Sequence, residues 1–129
     1  MSKYKVLILT LLLIYVGCAH NHITDLPELE KVDQIEISNG DSSYKIDSKD
    51  KIDNIIKSLE EVRSTKRQST NDYPNVDEYI TIGIQKDDNV HTYYIYDKDD
   101  KFYIEEPYVG IWELDDEIYD KLTKKLFDY

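Results

Sequence analysis

Cysteine is almost missing from this chain: Cys18 is the only one in 129 residues. A single thiol cannot close an internal disulfide, so the fold has to hold by packing alone. Positive charge is also scarce, with 16 Lys and Arg against 27 Asp and Glu and a formal net charge of −11. A surface of that sign repels nucleic-acid phosphates and anionic headgroups, which disfavours nucleic-acid binding and attachment to a membrane through a basic patch. Catalytic signatures are missing as well. There is no Gly-rich phosphate loop, no HExxH and no nucleophile elbow, and His91 is the one histidine in the body of the chain, read as an exposed strand-end residue. Carboxylates are so numerous that a pair at glycosidase-like separation is expected by chance. The apolar run at residues 6–16 is only eleven residues long. At 1.5 Å per residue it falls well short of a ~30 Å hydrocarbon core.

That short run is nevertheless the most informative stretch. Lys3 and Lys5 precede it, Thr10 is its only polar member, and it ends in Tyr15-Val16-Gly17-Cys18. A positive n-region, an apolar h-region and a small residue before the cleavage point make an export signal. The segment resembles the lipobox of bacterial lipoproteins, departing from it at Tyr15, where leucine is commonest. The resemblance implies that residues 1–17 are a lipoprotein signal peptide and that Cys18 is lipidated. It also implies a body held at the extracytoplasmic face of the cell membrane by a diacylglyceryl cysteine. Cleavage removes two lysines and no acid, so the mature protein is more negative by two charges. Two acyl chains at ~0.8 kcal/mol per buried methylene give an upper bound on the order of 20 kcal/mol, far beyond one chain's marginal hold.

Residues 18–31 read as the lipidated cysteine and a tether, polar, broken by Pro27 and without sustained periodicity. If flexible, such a segment holds the body ~20 Å from the bilayer on average. His20 and His22 lie in it, but two histidines without a third or fourth ligand nearby do not make a metal site. No metal and no cofactor is expected.

Residues 32–129 read as a single acidic α+β domain. Residues 34–38 alternate polar and apolar, Asn39-Gly40 interrupts, and residues 44–46 alternate again. This predicts an N-terminal hairpin with a loop somewhat longer than two residues. Ser48 then caps an amphipathic helix carrying Ile52, Ile55, Ile56, Leu59 and Val62. The basic segment Arg63–Arg67 reads as charge at that helix's C-terminal end, and residues 69–76, rich in turn formers, as a loop. Three alternating runs from Ile80, through Tyr93 and Ile95, to Phe102 and Ile104 predict a three-stranded antiparallel meander, turning at residues 87–89 and 97–100. These acidic turns fall at opposite sheet ends, roughly 20 Å apart at ~3.3 Å per residue, so their aspartates cannot share an ion. Pro107 and Gly110 break the meander. Asp115 caps a C-terminal helix holding Ile118, Tyr119 and Leu122, with Leu114 stapled to Tyr119. The helices are expected on the aliphatic face of one antiparallel sheet.

The opposite face is rich in tyrosine. Tyr79, Tyr94, Tyr96 and Tyr103 share it by alternation, and Tyr108 and Trp112 stand at the corner that follows. Tyrosine offers rigid amphipathic area suited to a protein or glycan partner, and it equally serves ordinary cross-strand packing.

The order of elements, together with residues 71–82 (NDYPNVDEYITI) and 101–112 (KFYIEEPYVGIW), resembles a family of unknown function found in small Gram-positive lipoproteins. The resemblance implies export and a domain over about residues 32 to 126, and it implies no activity. The reading that follows is a membrane-anchored, extracytoplasmic, non-catalytic binding module, with another envelope protein as the candidate partner. A carboxylate-based envelope hydrolase acting on glycan is the alternative. Cys18→Ala is expected to abolish acyl labelling and to give either a released domain or an uncleaved precursor, read by fractionation and mass; unchanged maturation and labelling would contradict the lipobox.

Overall fold

The computed structural model describes Ile23, Leu26 and residues 31–127, with side chains to residue 124. The signal-peptide stretch, Cys18, His20 and His22 lie outside the described residues. The elements in chain order are β1 Gln34–Ser38, β2 Ser43–Ile46, α1 Lys49–Glu60, β3 Arg63–Arg67, β4 Ile80–Lys86, β5 Asn89–Lys98, β6 Lys101–Glu106, β7 Gly110–Leu114 and α2 Asp116–Phe127. All seven strands join one antiparallel sheet in the order β2-β1-β4-β5-β6-β7-β3. The class is α+β. The expected three-stranded meander is replaced by a larger sheet, because the hairpin β1–β2 pairs with β4 and two further strands extend the other side.

Local chemistry explains the turns. Asn39 Oδ1 accepts from the Ser42 amide at 2.8 Å and Gly40 sits at φ 93°, closing the four-residue β1–β2 loop. Asp87 opens the next hairpin at φ 53°. Asp99 and Asp100, at φ 53° and 63°, supply the paired positive φ of a tight two-residue loop. Ser48 precedes α1 in extended conformation, and its carbonyl rather than its side chain accepts the Ile52 amide at 2.9 Å. Asp115 does cap α2: its Oδ1 accepts the Ile118 amide at 2.9 Å.

Two elements depart from the sequence expectation. The segment Arg63–Arg67 lies beyond the end of α1 and forms an edge strand on β7, with a register shift between Ser64 and Arg67 and Lys66 at φ 60°. An edge strand needs little apolar alternation, and its charges and bulge discourage pairing with other chains. Beyond Pro107, the chain turns within three residues and resumes as β7. The Val109 amide donates to the Glu106 carbonyl at 3.1 Å, with Pro107 fixing the first bend.

One face of the sheet carries the core. Ile35, Ile37, Ile82, Ile84, Ile95 and Ile104 are almost fully buried in one cluster with Ile52, Ile56 and Leu59 of α1 and Ile118 and Leu122 of α2. The helices are also joined to their surroundings by polar contacts. Lys121 Nζ donates to Ser58 Oγ at 2.9 Å and to the Asn54 carbonyl at 3.2 Å, and the Tyr44 hydroxyl donates to the Leu122 carbonyl at 2.9 Å. Tyr119 stacks on Phe102, with ring centroids 3.8 Å apart.

His91 sits inside β5 opposite Ile84 and is half-buried, not an exposed strand end. Ile23 and Leu26, expected to belong to a polar tether, are packed: Ile23 lies in the core cluster and Leu26 rests against it.

Leu59→Ala is expected to lower stability by about 3 kcal/mol, since a fully enclosed side chain leaves a cavity. Asp115→Ala should cost about 1 kcal/mol through the lost cap. Urea titration reads both as shifts of midpoint at unchanged slope.

Candidate functional site

Topology dictates what happens on the second face. The chain leaves β3 at the sheet edge and must re-enter at β4, which lies beyond β7, β6 and β5. Residues 68–79 therefore cross the outer face as a strap. Partners for it come from β6, from β5 and from the β6–β7 turn.

Outside the strap, Thr81, Tyr94, Glu105 and Ile111 form one cross-strand row, and Tyr96, Tyr103 and Glu113 the next. Glu105 is only 5% exposed. It accepts hydrogen bonds from the Ser69 hydroxyl at 2.6 Å and the Tyr96 hydroxyl at 3.1 Å. A carboxylate out of water requires such donors, and Ser69 of the strap is buried in providing one. Arg67 lies over the Tyr103 ring at 5.0 Å, and Tyr103 in turn leans on Tyr96. Further along, Tyr73 of the strap contacts both Tyr79 and Tyr94, at centroid distances of 6.3 and 5.7 Å, while Tyr79 meets Tyr94 edge-on at 5.1 Å. Buried Pro74 follows Tyr73. The Tyr108 hydroxyl, from the β6–β7 turn, donates to Asp72.

These contacts shift the phenols. Burial, then the Glu105 carboxylate beside it, pushes the Tyr96 hydroxyl well above its ordinary value of 10.0, with Arg67 opposing. Burial raises Tyr94 too, followed by the influence of Tyr73, Tyr79 and Asp72. The bond to Asp72 is the main cause of the upward shift at Tyr108.

The six aromatic residues expected to form one surface are thus distributed. Tyr94 and Tyr96 are buried beneath the strap, and Tyr79 and Tyr103 are half-buried. Trp112 is on the opposite side: it is paired with Ile104 and lies in the core cluster, close over Gly110, where an added Cβ would come within 3.0 Å of the indole. Tyr108 alone of the six is widely open, at 65% exposure. Tyr73, not singled out from sequence, is 58% exposed and lies on the same strapped face. Ser69, Asp72 and Glu105 were also unmarked, because their pairing depends on a loop crossing three strands. The one available signal was a tyrosine inside a segment otherwise made of turn formers.

At one end of the sheet an open cleft of about 620 Å³ runs between the β1–β2 loop and the end of the strap, rimmed by Asp41, Asp77, Glu78 and Asp97. Among the described residues no three His, Cys, Asp or Glu side chains are grouped to hold a metal ion. Among the same residues no helix is long and apolar enough to cross a membrane.

Residues 20–113 match the DUF5301 family, described as a domain of unknown function (DUF5300). The chain belongs to this family. Its match begins at residue 20, ahead of the expected start near residue 32, and so takes in the segment carrying Ile23 and Leu26. An NMR structure of a protein from Ruminococcus gnavus is 33% identical, with a TM-score of 0.64, covering 72% of this chain and 95% of that one. No curated protein matches the chain. Neither description names an activity.

A pH dependence follows from Tyr96. Its folded form holds the phenolic proton more tightly than the unfolded chain does, so the associated stability is complete below pH ~10 and is lost as pH rises beyond it. The urea midpoint should therefore hold up to about pH 10 and fall progressively as pH rises above it. Tyr96→Phe should flatten part of that fall; an identical slope in the variant would contradict the assignment.

Proposed function

We propose that this protein is a small Gram-positive lipoprotein, anchored extracytoplasmically through Cys18, whose body is a non-catalytic interaction module. Its contact area is the strapped face around Tyr73 and Tyr108, and its partner is another envelope protein. The export signal and the small residue before Cys18 support the anchoring. The strongly negative net charge leaves the lipid as the source of membrane affinity.

The observation that carries the contact area is the backbone at Tyr108. It adopts φ 63°, a left-handed conformation that glycine enters freely and that costs a bulky residue on the order of 1 kcal/mol. A tyrosine is nonetheless kept there, with its ring in solvent and its hydroxyl tied to Asp72. Packing does not account for it, since the ring is exposed. A rigid, amphipathic ring held outward with little freedom left to lose is the kind of group on which protein interfaces concentrate their energy. Tyr73 is restrained by its neighbours, stacked on Tyr79 and tilted against Tyr94.

Tyr108→Gly separates function from fold, because glycine suits the turn. Stability should stay within about 1 kcal/mol of the parent. A photo-crosslinking residue at position 73 should trap a discrete partner in intact cells, whereas one at Lys51 on the exposed side of α1 should not. Adding Tyr108→Gly should lower the trapped yield by about tenfold. Equal yields from positions 73 and 51, or no effect of Tyr108→Gly, would refute the surface.

A further inference from the structure

Ile23 is 3% exposed and belongs to the core cluster, with Leu26 packed against it. Only four residues separate Ile23 from Cys18. A chain spans at most ~3.3–3.6 Å per residue, so a docked Ile23 stays within about 18 Å of Cys18, whereas a free segment running to residue 32 would reach about 50 Å. The family match also begins at residue 20, which places this segment with the domain. Resting on the lipid-anchored reading above, we propose that Ile23 and Leu26 act as a clasp that shortens the leash and holds the acidic body close against the bilayer surface.

The consequence is electrostatic as well as geometric. A body of net charge −11 or below is repelled by anionic headgroups over a Debye length of ~8 Å at physiological salt. On a long leash it would drift outward until that repulsion vanished. On a short one it cannot, so its height above the membrane is fixed by the chain and is nearly independent of salt and of headgroup charge. The chain enters the sheet beside the β4–β5 turn, where the Asp33 carboxylate accepts the Asp87 amide at 2.9 Å, and that turn offers a reporter site.

The test uses the full lipidated protein carrying Asp88→Cys, donor-labelled there and reconstituted into phosphatidylcholine vesicles with acceptor-labelled headgroups. Energy transfer should be high. It should change little when phosphatidylglycerol is included or salt is varied. Inserting about 20 Gly and Ser residues between Cys18 and Ala19 should lower it at least about twofold and make it salt-dependent. Ile23→Asp should act in the same direction. The insertion leaves the core untouched, so its result stands whether or not Ile23→Asp folds. Vesicle-bound protein with transfer already as low as the insertion variant's, or an insertion without effect, overturns the clasp while leaving the anchor intact. Protein that neither binds vesicles nor carries acyl label removes the anchoring reading, and the clasp with it.

Discussion

A sheet has two faces, and among the described residues two helices are available to cover them. Both helices contribute to the layer of isoleucines on one side, so the other side must be managed by the strands and the connection between β3 and β4. Aliphatic residues on the outer face would leave a large exposed apolar patch, a liability for aggregation. The chain instead sets tyrosines there, whose rings pack across strands while their hydroxyls reach hydrogen-bonding partners. It then lays residues 68–79 across them.

What fixes the strap in register is polar. Glu105 is the centre, accepting from Ser69 of the strap and from Tyr96 of the neighbouring strand. A buried carboxylate adds little net stability, but displacing one donor leaves a charge poorly compensated, so the arrangement strongly disfavours misplacement of the strap. Exposed ion pairs such as Lys57–Asp53 and Arg63–Glu113 contribute far less, since each member or its partner is well solvated. The strap is thereby a fixed part of the surface. Tyr73 from the strap and Tyr108 from the adjoining β6–β7 turn are presented in set orientations, which is what a binding face needs if association is not to spend much conformational entropy.

The same division of labour separates the two ends of the proposed function. The proposal assigns attachment to Cys18 near the N-terminus, and selectivity to rings on a face whose geometry is held by hydrogen bonds. Family membership extends over the segment that connects them, from residue 20 onward. The basic edge strand β3 fits this picture as a boundary. Its bulge is closed by the Lys66 and Arg67 amides donating to the Ser64 and Thr65 hydroxyl oxygens, and the strand terminates the sheet.

Much of the architecture is written locally. The hairpin at Asn39-Gly40, the apolar spacing of α1, the Asp115 cap and the alternation of β4, β5 and β6 depend on residues a few positions apart, and periodicity alone identifies them. The strand at Arg63–Arg67 was illegible because an edge strand with one solvated side has no need of a period. β7 was hidden because Pro107 marks a stop, and the three-residue turn that restarts the strand depends on a tyrosine accepting positive φ. Sequence by itself determined the α+β class and the two faces of β4, β5 and β6. Tertiary structure alone decided which of those faces stayed open. A crossing strap, a buried Glu105 and a docked Ile23 join residues far apart in the chain, and no local period encodes a contact of that kind.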